Sequence, residues 1–208
     1  IPSNLKCYNV IEKIGKGGYS VVLKVQQTIS KKYFAAKVMS KKEIINRKME
    51  YIISNEINIL RSIKHPNIIR LFDVFEVKNQ NQEDLIIMIE ELCSNGSLID
   101  YVNKRGFKNN TEKKRMMKNI IEAIAYLHGK NITHCDIKVD NILLDENFNI
   151  KLGDFGFSKN FNKNANDRIS GTLTYAAPEL FTRKNVDFFK SDIWALGVTL
   201  YALEERHL

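Results

Sequence analysis

Short hydrophobic runs rich in β-branched and aromatic residues occupy the first ninety positions of the chain. Enrichment in these residue types is typical of strands. Gly-rich or polar turns separate the runs. We therefore predict five strands in this region: Tyr8–Ile14, Tyr19–Gln27, Tyr33–Met39, Ile68–Val77 and Leu85–Ile89.

One segment between these strands follows a helical period instead. Ile57, Leu60 and Ile63 recur at helical spacing, which predicts a helix over Ser54–Ile63. Pro66 ends this segment, because the residue before a proline is pushed out of the helical region of backbone conformation. The strand-rich part of the chain is therefore expected to carry one helix.

Helical periods dominate the second half of the chain. We predict three helices there: Ser97–Lys104, Thr111–His128 and Ser191–Leu203. For the second of these, Thr111 and Glu112 supply a candidate N-terminal cap and Gly129 a candidate C-terminal cap. Between the second and third helices, Asp145–Asn149 is predicted to be a turn flanked by two short strands, and residues 158–170 a long polar loop.

This division predicts an α+β protein: a strand-rich part over residues 1–90, a connector over residues 91–95 and a helix-rich part over residues 96–208. With 208 residues, of which 44% are hydrophobic, the chain can bury a sizeable core. The sequence contains no internal repeat.

Charge and cysteine content indicate the compartment and limit the partners. The net charge of +8 permits a polyanion partner, but the basic residues are scattered among acids, and a solvated surface explains them better. Cys7, Cys93 and Cys135 form no CxxC pair, which indicates a reducing environment. No apolar run approaches the roughly 18 residues of a membrane span, and no signal-peptide pattern opens the chain. We therefore expect an intracellular protein, cytoplasmic or nuclear, with no membrane and no nucleic-acid partner.

A glycine-rich turn, Gly15-Lys16-Gly17-Gly18, lies between the first two predicted strands. Glycines allow backbone N–H groups to approach phosphate oxygens without obstruction by side chains. A dinucleotide-binding domain would require a helix directly after such a turn, and repeated βαβ units. Here a predicted strand follows the turn, which argues against that alternative and favours a phosphate-binding hairpin.

Lys37 lies at the end of an apolar strand, after Ala35 and Ala36. A lysine in apolar surroundings needs an acidic partner. Glu56, on the predicted helix that follows, is a candidate for that partner. A lysine held in this way can contact the phosphates of ATP.

The most informative segments of the chain are His134-Cys135-Asp136-Ile137-Lys138-Val139-Asp140-Asn141 and, after a short strand, Asp154-Phe155-Gly156. Together they bring several carboxylate and amide oxygens into a short span between apolar segments. Such oxygens suit Mg²⁺, which prefers oxygen ligands and keeps part of its water shell.

In their order along the chain, these motifs resemble the signature set of the eukaryotic protein kinase family. Ala177-Pro178-Glu179 supplies a further motif, and Asp192–Gly197 looks like the helix that anchors the family's catalytic loop. The resemblance covers essentially the whole chain. It implies a bilobal fold, with an N-terminal antiparallel sheet lobe carrying one helix, a hinge at residues 91–95 and a mainly helical C-terminal lobe.

The resemblance also implies a nucleotide-binding set. ATP is expected to contact Gly15, Lys16, Gly17, Gly18, Val22, Ala35, Lys37, Glu56, Glu91, Cys93 and Leu143. Within this set, Val22, Ala35 and Leu143 pack on adenine, and the backbone of Glu91 and Cys93 hydrogen-bonds to it. Lys37 binds the α- and β-phosphates and is itself held by Glu56.

The catalytic roles follow from the same resemblance. Asp136 orients the substrate hydroxyl and accepts its proton, and Lys138 steadies the transferring phosphate. Asn141 and Asp154 hold Mg²⁺. The expected activity is transfer of the γ-phosphate of ATP to a serine or threonine of a protein substrate.

Four features indicate the substrate class and the subgroup. Lys138, two residues after the expected base, and Gly171-Thr172 are typical of serine/threonine kinases. Ser20 in place of the third loop glycine is similar to the calmodulin-dependent and AMP-activated kinase group, as is the segment over residues 171–180. We therefore expect a serine/threonine kinase closest to that group.

Three positions depart from the family pattern. Cys135 replaces the arginine that pairs with a phosphorylated activation loop, and Asp167-Arg168 occupies the usual phosphoacceptor position. A thiol cannot make a bidentate contact with phosphate, so we predict a kinase independent of phosphorylation at that site. Glu90 falls at the gatekeeper position beside the adenine pocket, where apolar residues or threonine are usual.

The resemblance assigns several other residues to the interior. Leu60, Leu71, His134 and Phe155 are expected to form a stacked spine anchored by Asp192. By contrast, we expect His128 only to cap a helix.

The end of the chain raises an alternative. The family's domain continues for several more helices, including an arginine that pairs with Glu179, whereas this sequence ends at Leu208. We expect a C-terminally truncated domain that could itself be inactive, which leaves open a pseudokinase or scaffold that keeps the fold without turnover. A pseudokinase would typically lack one of four residues, all of which are present: Lys37, Asp136, Asn141 and Asp154.

Overall fold

A computed structural model describes residues 4–162, 171–184 and 186–205. The predicted phosphoacceptor position, Asp167-Arg168, therefore lies outside the described residues. The strands are β1 (Asn4–Leu5), β2 (Tyr8–Lys16), β3 (Ser20–Gln27), β4 (Tyr33–Ser40), β5 (Leu71–Lys78), β6 (Asp84–Glu90), β7 (Ile132–Thr133), β8 (Ile142–Leu144), β9 (Ile150–Leu152) and β10 (Lys159–Asn160). The α-helices are α1 (Lys41–Asn46), α2 (Glu50–Ser62), α3 (Leu98–Arg105), α4 (Asn110–Gly129), α5 (Pro178–Thr182) and α6 (Phe188–Glu205). Two short 3₁₀ turns cover Val139–Asn141 and Leu173–Tyr175.

The chain divides into two compact units. The first comprises the residues up to Ile57 together with Arg70–Leu92, and the second comprises Asn58–Ile69 and the residues from Cys93 onward. The boundary falls within α2, so the C-terminal end of this helix belongs to the helical unit. The architecture is α+β, as the sequence predicts.

A six-stranded antiparallel sheet forms the first unit, in the order β1-β2-β3-β4-β6-β5. One face of this sheet packs into a hydrophobic core that includes Leu23, Val25, Ala36, Ile87 and Ile89. Successive residues of a strand point to opposite faces. The positions between these core residues therefore lie on the other face of the sheet.

The helices of the first unit differ from the prediction. Besides α2, the unit contains α1, which is too short to show a helical period in the sequence. The Ser40 hydroxyl accepts a hydrogen bond from the Glu43 backbone N–H at the start of α1, as an N-cap should. Helix α2 begins at Glu50, four residues before the predicted start at Ser54.

Strand β5 was predicted to begin at Ile68 but begins at Leu71. Ile68 instead forms an isolated parallel bridge with Leu152. The Asn67 side-chain amide also donates to the carbonyl of Ile150. The segment before β5 is therefore part of the second unit, where β9 satisfies its backbone.

The second unit is mainly helical, and the caps of α4 differ from those predicted. The Asn109 side chain, not Thr111, accepts a hydrogen bond from the Glu112 backbone N–H and caps the N-terminus. Gly129 is the last helical residue, and Lys130 takes the C-cap position. The helix can end without a glycine cap because Asn131, which tolerates left-handed backbone, has φ of 56°.

The remaining elements support the catalytic segments. Strands β8 and β9 pair antiparallel around the predicted turn. Within the predicted polar loop, β10 pairs with β7 instead of remaining irregular. Helix α6 extends three residues before its predicted start. None of the helices described here has the length and apolar character needed to cross a membrane.

Candidate active site

The glycine-rich turn links β2 and β3 in the first unit. The backbone N–H of Gly17 donates to the Ser20 carbonyl at 2.8 Å. A side chain at Gly17 would place its Cβ only 2.9 Å from the Ser20 hydroxyl oxygen. The turn is therefore tight at Gly17, whereas Lys16 and Gly18 are exposed. This leaves the tip of the hairpin accessible to a ligand.

Lys37 and Glu56 form the expected ion pair. Their Nζ and Oε1 atoms are 2.7 Å apart, and the Glu56 side chain is only 1% exposed. Because Lys37 on β4 pairs with Val22 on β3, the lysine lies beside the strand that leaves the glycine-rich turn. The ring of Tyr19, in that turn, is centred 5.8 Å from the Lys37 Nζ.

Three residues expected at the nucleotide share one face of the sheet. Val22, Ala35 and Lys37 all alternate with members of the core cluster, so they lie on the face opposite the core. The residues expected to contact the base and the phosphates therefore lie on the same side of the sheet.

The start of the predicted connector is held by the neighbouring strand. The backbone N–H of Glu91 donates to the Arg70 carbonyl at 2.9 Å. The backbone N–H of Glu91 is therefore used within the sheet. Cys93, the other predicted contact, belongs to the second unit and is half-buried.

A compact polar cluster surrounds Asp136 in the second unit. Its Oδ2 lies 2.9 Å from the Lys138 ammonium. Its Oδ1 accepts a hydrogen bond of 2.8 Å from the Thr172 hydroxyl, which in turn accepts one of 2.9 Å from Lys138. Burial favours the neutral acid, but these hydrogen bonds and the lysine charge hold the pKa of Asp136 below its ordinary value. The cluster therefore presents a fixed, ionised carboxylate.

Asn141 joins the same cluster. Its amide nitrogen donates to the backbone carbonyl of Asp136 at 2.8 Å and to the Oδ2 of Asp136 at 3.0 Å. The backbone carbonyl of Asn141 accepts from the Gly153 N–H at 2.8 Å, so the catalytic segment is tied to the residue preceding Asp154.

The predicted metal residues have the chemistry that Mg²⁺ requires. Because the Asn141 nitrogen is used by Asp136, the amide oxygen is the atom that remains for a metal. Asp154 is exposed, has φ of 59°, and accepts one long contact of 3.4 Å from the Gly156 N–H. Both residues therefore offer oxygen donors, and the few protein ligands match an ion that keeps several waters and binds substrate phosphates.

Asp192 on α6 anchors the backbone of the segment that precedes Asp136. Its carboxylate, 1% exposed, accepts hydrogen bonds of 2.8 Å from the backbone N–H groups of both His134 and Cys135. It also lies 2.9 Å from the Nε2 of His128. The expectation that His128 only caps a helix is therefore wrong, because its side chain holds the anchoring carboxylate. In the sequence, the only indication of this role was the position of His128 in the last turn of α4.

His134 is a core residue, as predicted. Its ring is fully buried and meets the Phe155 ring edge to face at 4.9 Å. Its Nε2 lies 3.0 Å from the Gly153 carbonyl. These contacts link the catalytic segment to the Asp154-Phe155-Gly156 turn.

Cys135 is a partly buried residue in left-handed backbone. Its φ is 63°, its sulfur lies 3.2 Å from the Thr133 hydroxyl, and burial followed by the charge of Asp192 raises its pKa to about 12. Gly171 approaches it closely, since a Cβ on this glycine, whose φ is 122°, would lie 2.5 Å from the Cys135 carbonyl oxygen. Glycine is therefore needed to bring Thr172 to Asp136.

The structure brings the predicted site residues together in two groups. The first unit contains the glycine-rich turn, Val22, Ala35, the Lys37–Glu56 pair and Glu91. The second contains Asp136, Lys138, Asn141, Asp154 and Leu143, the last on β8 opposite Lys151. Thr172 was missed as a site residue, although its position after Gly171 had already indicated the substrate class.

Glu179, for which an arginine partner was expected, accepts a hydrogen bond of 3.0 Å from the Ser191 hydroxyl.

A sheet carrying a paired lysine, joined in the same chain to an Asp–Lys–Asn catalytic segment anchored on a helix, defines a protein kinase domain. The chain belongs to the protein kinase family: the profile of the protein kinase domain matches residues 8–208.

Its relatives are serine/threonine-protein kinases. The chain is 35% identical over 204 residues to serine/threonine-protein kinase SIK1 of Rattus norvegicus and of Mus musculus, covering 97% of this chain and 25% of each relative. It is 37% identical over 197 residues to the SIK3 homolog of Danio rerio, covering 94% of this chain and 16% of that protein. The chain thus spans a quarter or less of the length of these relatives. They belong to the group related to the AMP-activated kinase, which confirms the predicted placement.

Proposed function

We propose that the protein transfers the γ-phosphate of ATP to serine or threonine hydroxyls of protein substrates. The observation that carries this proposal is the cluster of Asp136, Lys138 and Thr172, in which an ionised carboxylate is held by two hydrogen-bond donors. The serine/threonine kinases to which the chain is similar support the same activity.

Asp136 orients the substrate hydroxyl and accepts its proton as the oxygen attacks the γ-phosphorus. The bond between the γ-phosphorus and the bridging oxygen breaks, and ADP leaves. A carboxylate with a lowered pKa is a weak base, so its main contribution is to position the hydroxyl, and it takes the proton late. Lys138 places a positive charge beside the transferring group.

The nucleotide is proposed to lie on the exposed face of the sheet in the first unit. The glycine-rich turn covers its phosphates, Lys37 binds the α- and β-phosphates, and Val22 and Ala35 pack on the base. Leu143 and the backbone of Cys93 are the remaining groups proposed to contact adenine. Asn141 and Asp154 would hold Mg²⁺, which neutralises charge on the β- and γ-phosphates.

Cys135 supports independence from phosphorylation of the activation loop. A phosphate needs a cation or several N–H donors. At this position the side chain is a neutral thiol with a raised pKa, and the backbone N–H is already bound to Asp192. The catalytic segment is instead positioned by Asp192 and Gly171, neither of which needs modification.

The test is phosphate transfer from Mg²⁺·ATP to generic protein substrates by the full-length protein and its Asp136→Asn variant. Transfer should fall by roughly 10²- to 10⁴-fold, the usual contribution of a positioned acid–base group, while ADP binding persists. Asp84→Asn, which alters an exposed carboxylate at the start of β6, is the matched control. ADP binding without transfer by the wild-type protein would instead indicate a pseudokinase.

Phosphatase treatment tests the second part of the proposal. Wild-type protein should keep its transfer rate after complete removal of phosphate from residues 157–176. A loss of activity that tracks a phosphate in that segment would refute independence from loop phosphorylation.

A further inference from the structure

Residues 157–162, which we call the post-turn segment, directly follow the Asp154-Phe155-Gly156 turn. Their backbone is tied to β7 and to the residues after α4. Strand β10 pairs with β7, and the backbone N–H of Phe161 donates to the Asn131 carbonyl at 2.9 Å. The side-chain amide of Asn131 donates in return to the Asn162 Oδ1 at 3.0 Å. The post-turn segment therefore has a defined place in the second unit.

A row of three rings connects this segment with α6 and α4. The centre of the Phe161 ring lies 5.2 Å from that of the Phe189 ring, and the Phe189 ring meets the His128 imidazole edge to face at 5.1 Å. Aromatic pairs at such distances attract each other beyond the effect of the area that they bury. We call Phe161, Phe189 and His128 the aromatic row.

The aromatic row ends at the carboxylate that anchors the catalytic segment. A carboxylate is a hydrogen-bond acceptor, so the Nε2 of His128 donates to the Asp192 Oδ2 at 2.9 Å. The same carboxylate accepts from the backbone N–H groups of His134 and Cys135, each at 2.8 Å. Asp136 follows these two residues directly. The position of the His128 ring is thereby linked to the backbone that precedes the proposed catalytic carboxylate.

Phe161 differs from the phenylalanines of the core. Its side chain is 39% exposed, and it stands between two asparagines, Asn160 and Asn162. Phe189 is half-buried, whereas the adjacent Phe188 is buried. Phe161 therefore buries less apolar area than a core residue, and its contact with Phe189 fastens the post-turn segment to α6.

We propose that Phe161 and Phe189 are positioning residues for phosphate transfer. With His128 they hold the post-turn segment and Asp192 in one arrangement, so that the backbone before Asp136 is fixed without a phosphate on the activation loop. This inference rests on the proposed function, in which phosphorylation of that loop is not required. It specifies which contacts take the place of the phosphate.

The test uses Phe161→Leu in the full-length protein, because leucine keeps an apolar side chain but removes the ring that contacts Phe189. We expect kcat for transfer from Mg²⁺·ATP to fall by about threefold to tenfold, the factor that corresponds to one aromatic pair, with KM for ATP unchanged. Hydrogen exchange of the His134 and Cys135 N–H groups, measured residue by residue, should become faster. Phe161→Tyr, which keeps the ring, should leave both quantities near their wild-type values.

Phe72→Leu is the matched control. Phe72 is 45% exposed and meets the Phe34 ring edge to face at 5.0 Å in the first unit, so its replacement removes a comparable contact. It should change neither kcat nor the hydrogen exchange of His134 and Cys135.

A double variant tests whether the rings act together. Phe189→Leu should lower kcat by about the same factor as Phe161→Leu, and the two changes combined should lower it little further, because either one breaks the same row. Factors that multiply in the double variant would show that the two residues act independently, and would overturn the aromatic row.

The outcomes separate this inference from the proposed function. Unchanged exchange of the His134 and Cys135 N–H groups, or an unchanged kcat, in a folded Phe161→Leu variant would overturn the inference alone. Equal losses in Phe161→Leu and Phe72→Leu would also overturn it, because they would indicate a general loss of stability. A wild-type protein that binds ADP without transfer would overturn the proposed function instead, and faster exchange in Phe161→Leu would then still support the link from the aromatic row to Asp192.

Discussion

Glu56 in the sheet unit and Asp136 in the helical unit are both buried carboxylates facing a lysine, yet they are held very differently. Glu56 contacts Lys37 through one oxygen, and its other oxygen is buried without a hydrogen-bond partner in the described part of the chain. Both oxygens of Asp136 are bonded, one to Thr172 and the other to Lys138 and Asn141.

Because of this difference, the Lys37–Glu56 contact can open, whereas the carboxylate of Asp136 is fixed in position. A single ion pair can break when one side chain moves, whereas three donors hold the Asp136 carboxylate in one place. A group that must meet a substrate hydroxyl within hydrogen-bond reach needs that restraint. In the proposed function, the Lys37–Glu56 pair supplies one positive charge to the phosphates of the nucleotide.

The largest effect on stability is expected from breaking the Lys37–Glu56 ion pair. Glu56→Ala leaves the Lys37 ammonium without its carboxylate in a mostly buried site, so the free energy of unfolding should fall by about 3 kcal/mol. Denaturant unfolding measures this change. Glu12→Ala, which breaks the exposed pair with Lys24, should change it by less than about 1 kcal/mol. Equal effects for the two variants would show that burial of the Lys37–Glu56 pair is unimportant.

A somewhat smaller loss of stability is expected when a backbone change displaces the cluster around Asp136. Gly171→Ala adds a Cβ against the Cys135 carbonyl oxygen at a φ of 122°, and should cost about 2 kcal/mol of folding free energy. It should also lower phosphate transfer, because Thr172 is displaced from Asp136. Gly129→Ala, where no atom lies near the added Cβ, is the control. An unaltered transfer rate in Gly171→Ala would contradict this role for Thr172.

Removing one hydrogen-bond donor from the cluster around Asp136 should shift the pKa of Asp136 without unfolding the protein. The folded-state pKa of Asp136 is lowered, so the favourable interactions of its carboxylate are present above the ordinary aspartate pKa and are lost as pH falls through the folded value. Thr172→Val removes a hydrogen bond that lowers this pKa. The acid limb of the pH–rate profile should therefore move to higher pH. A limb that stays in place would mean that another group controls it.

The smallest perturbation is chemical labelling of the cysteines. Cys7 is exposed, whereas the Cys135 thiol is shielded and its pKa is raised to about 12. Because the thiolate is the reactive form, iodoacetamide at neutral pH should label Cys7 well before Cys135. Mass spectrometry of the labelled peptides measures the order. Early labelling of Cys135 would show that the catalytic segment opens readily.

Local patterns predicted the elements whose signal is contained in a single segment. Runs of β-branched and aromatic residues located the five long strands of the sheet, and the 3.6-residue period located α2, α3, α4 and α6, with ends shifted by up to four residues. Helix α1 was missed because six residues are too few for a period to appear. The start of β5 was misplaced because Ile68, equally suited to a strand, pairs with Leu152 from a distant part of the chain.

The candidate site divides in the same way. Motif order alone predicted Lys37, Asp136 and Asp154 as site residues, because each lies in a short and distinctive segment. Thr172 and His128 were not recognised as parts of the site, since their partners lie 36 and 64 residues away in the sequence. The face of the sheet to which Glu90 belongs likewise depends on its pairing with Ala35.

The sequence by itself determined the family, the order of the elements and the chemical types available at the site. Only the tertiary structure decided which oxygen of each carboxylate is bonded, how Gly171 brings Thr172 to Asp136, and how α6 holds the catalytic segment through Asp192. The physical reason is range. Propensity and periodicity act over a few residues, whereas hydrogen bonds and close backbone approaches depend on segments that meet only after the chain has folded.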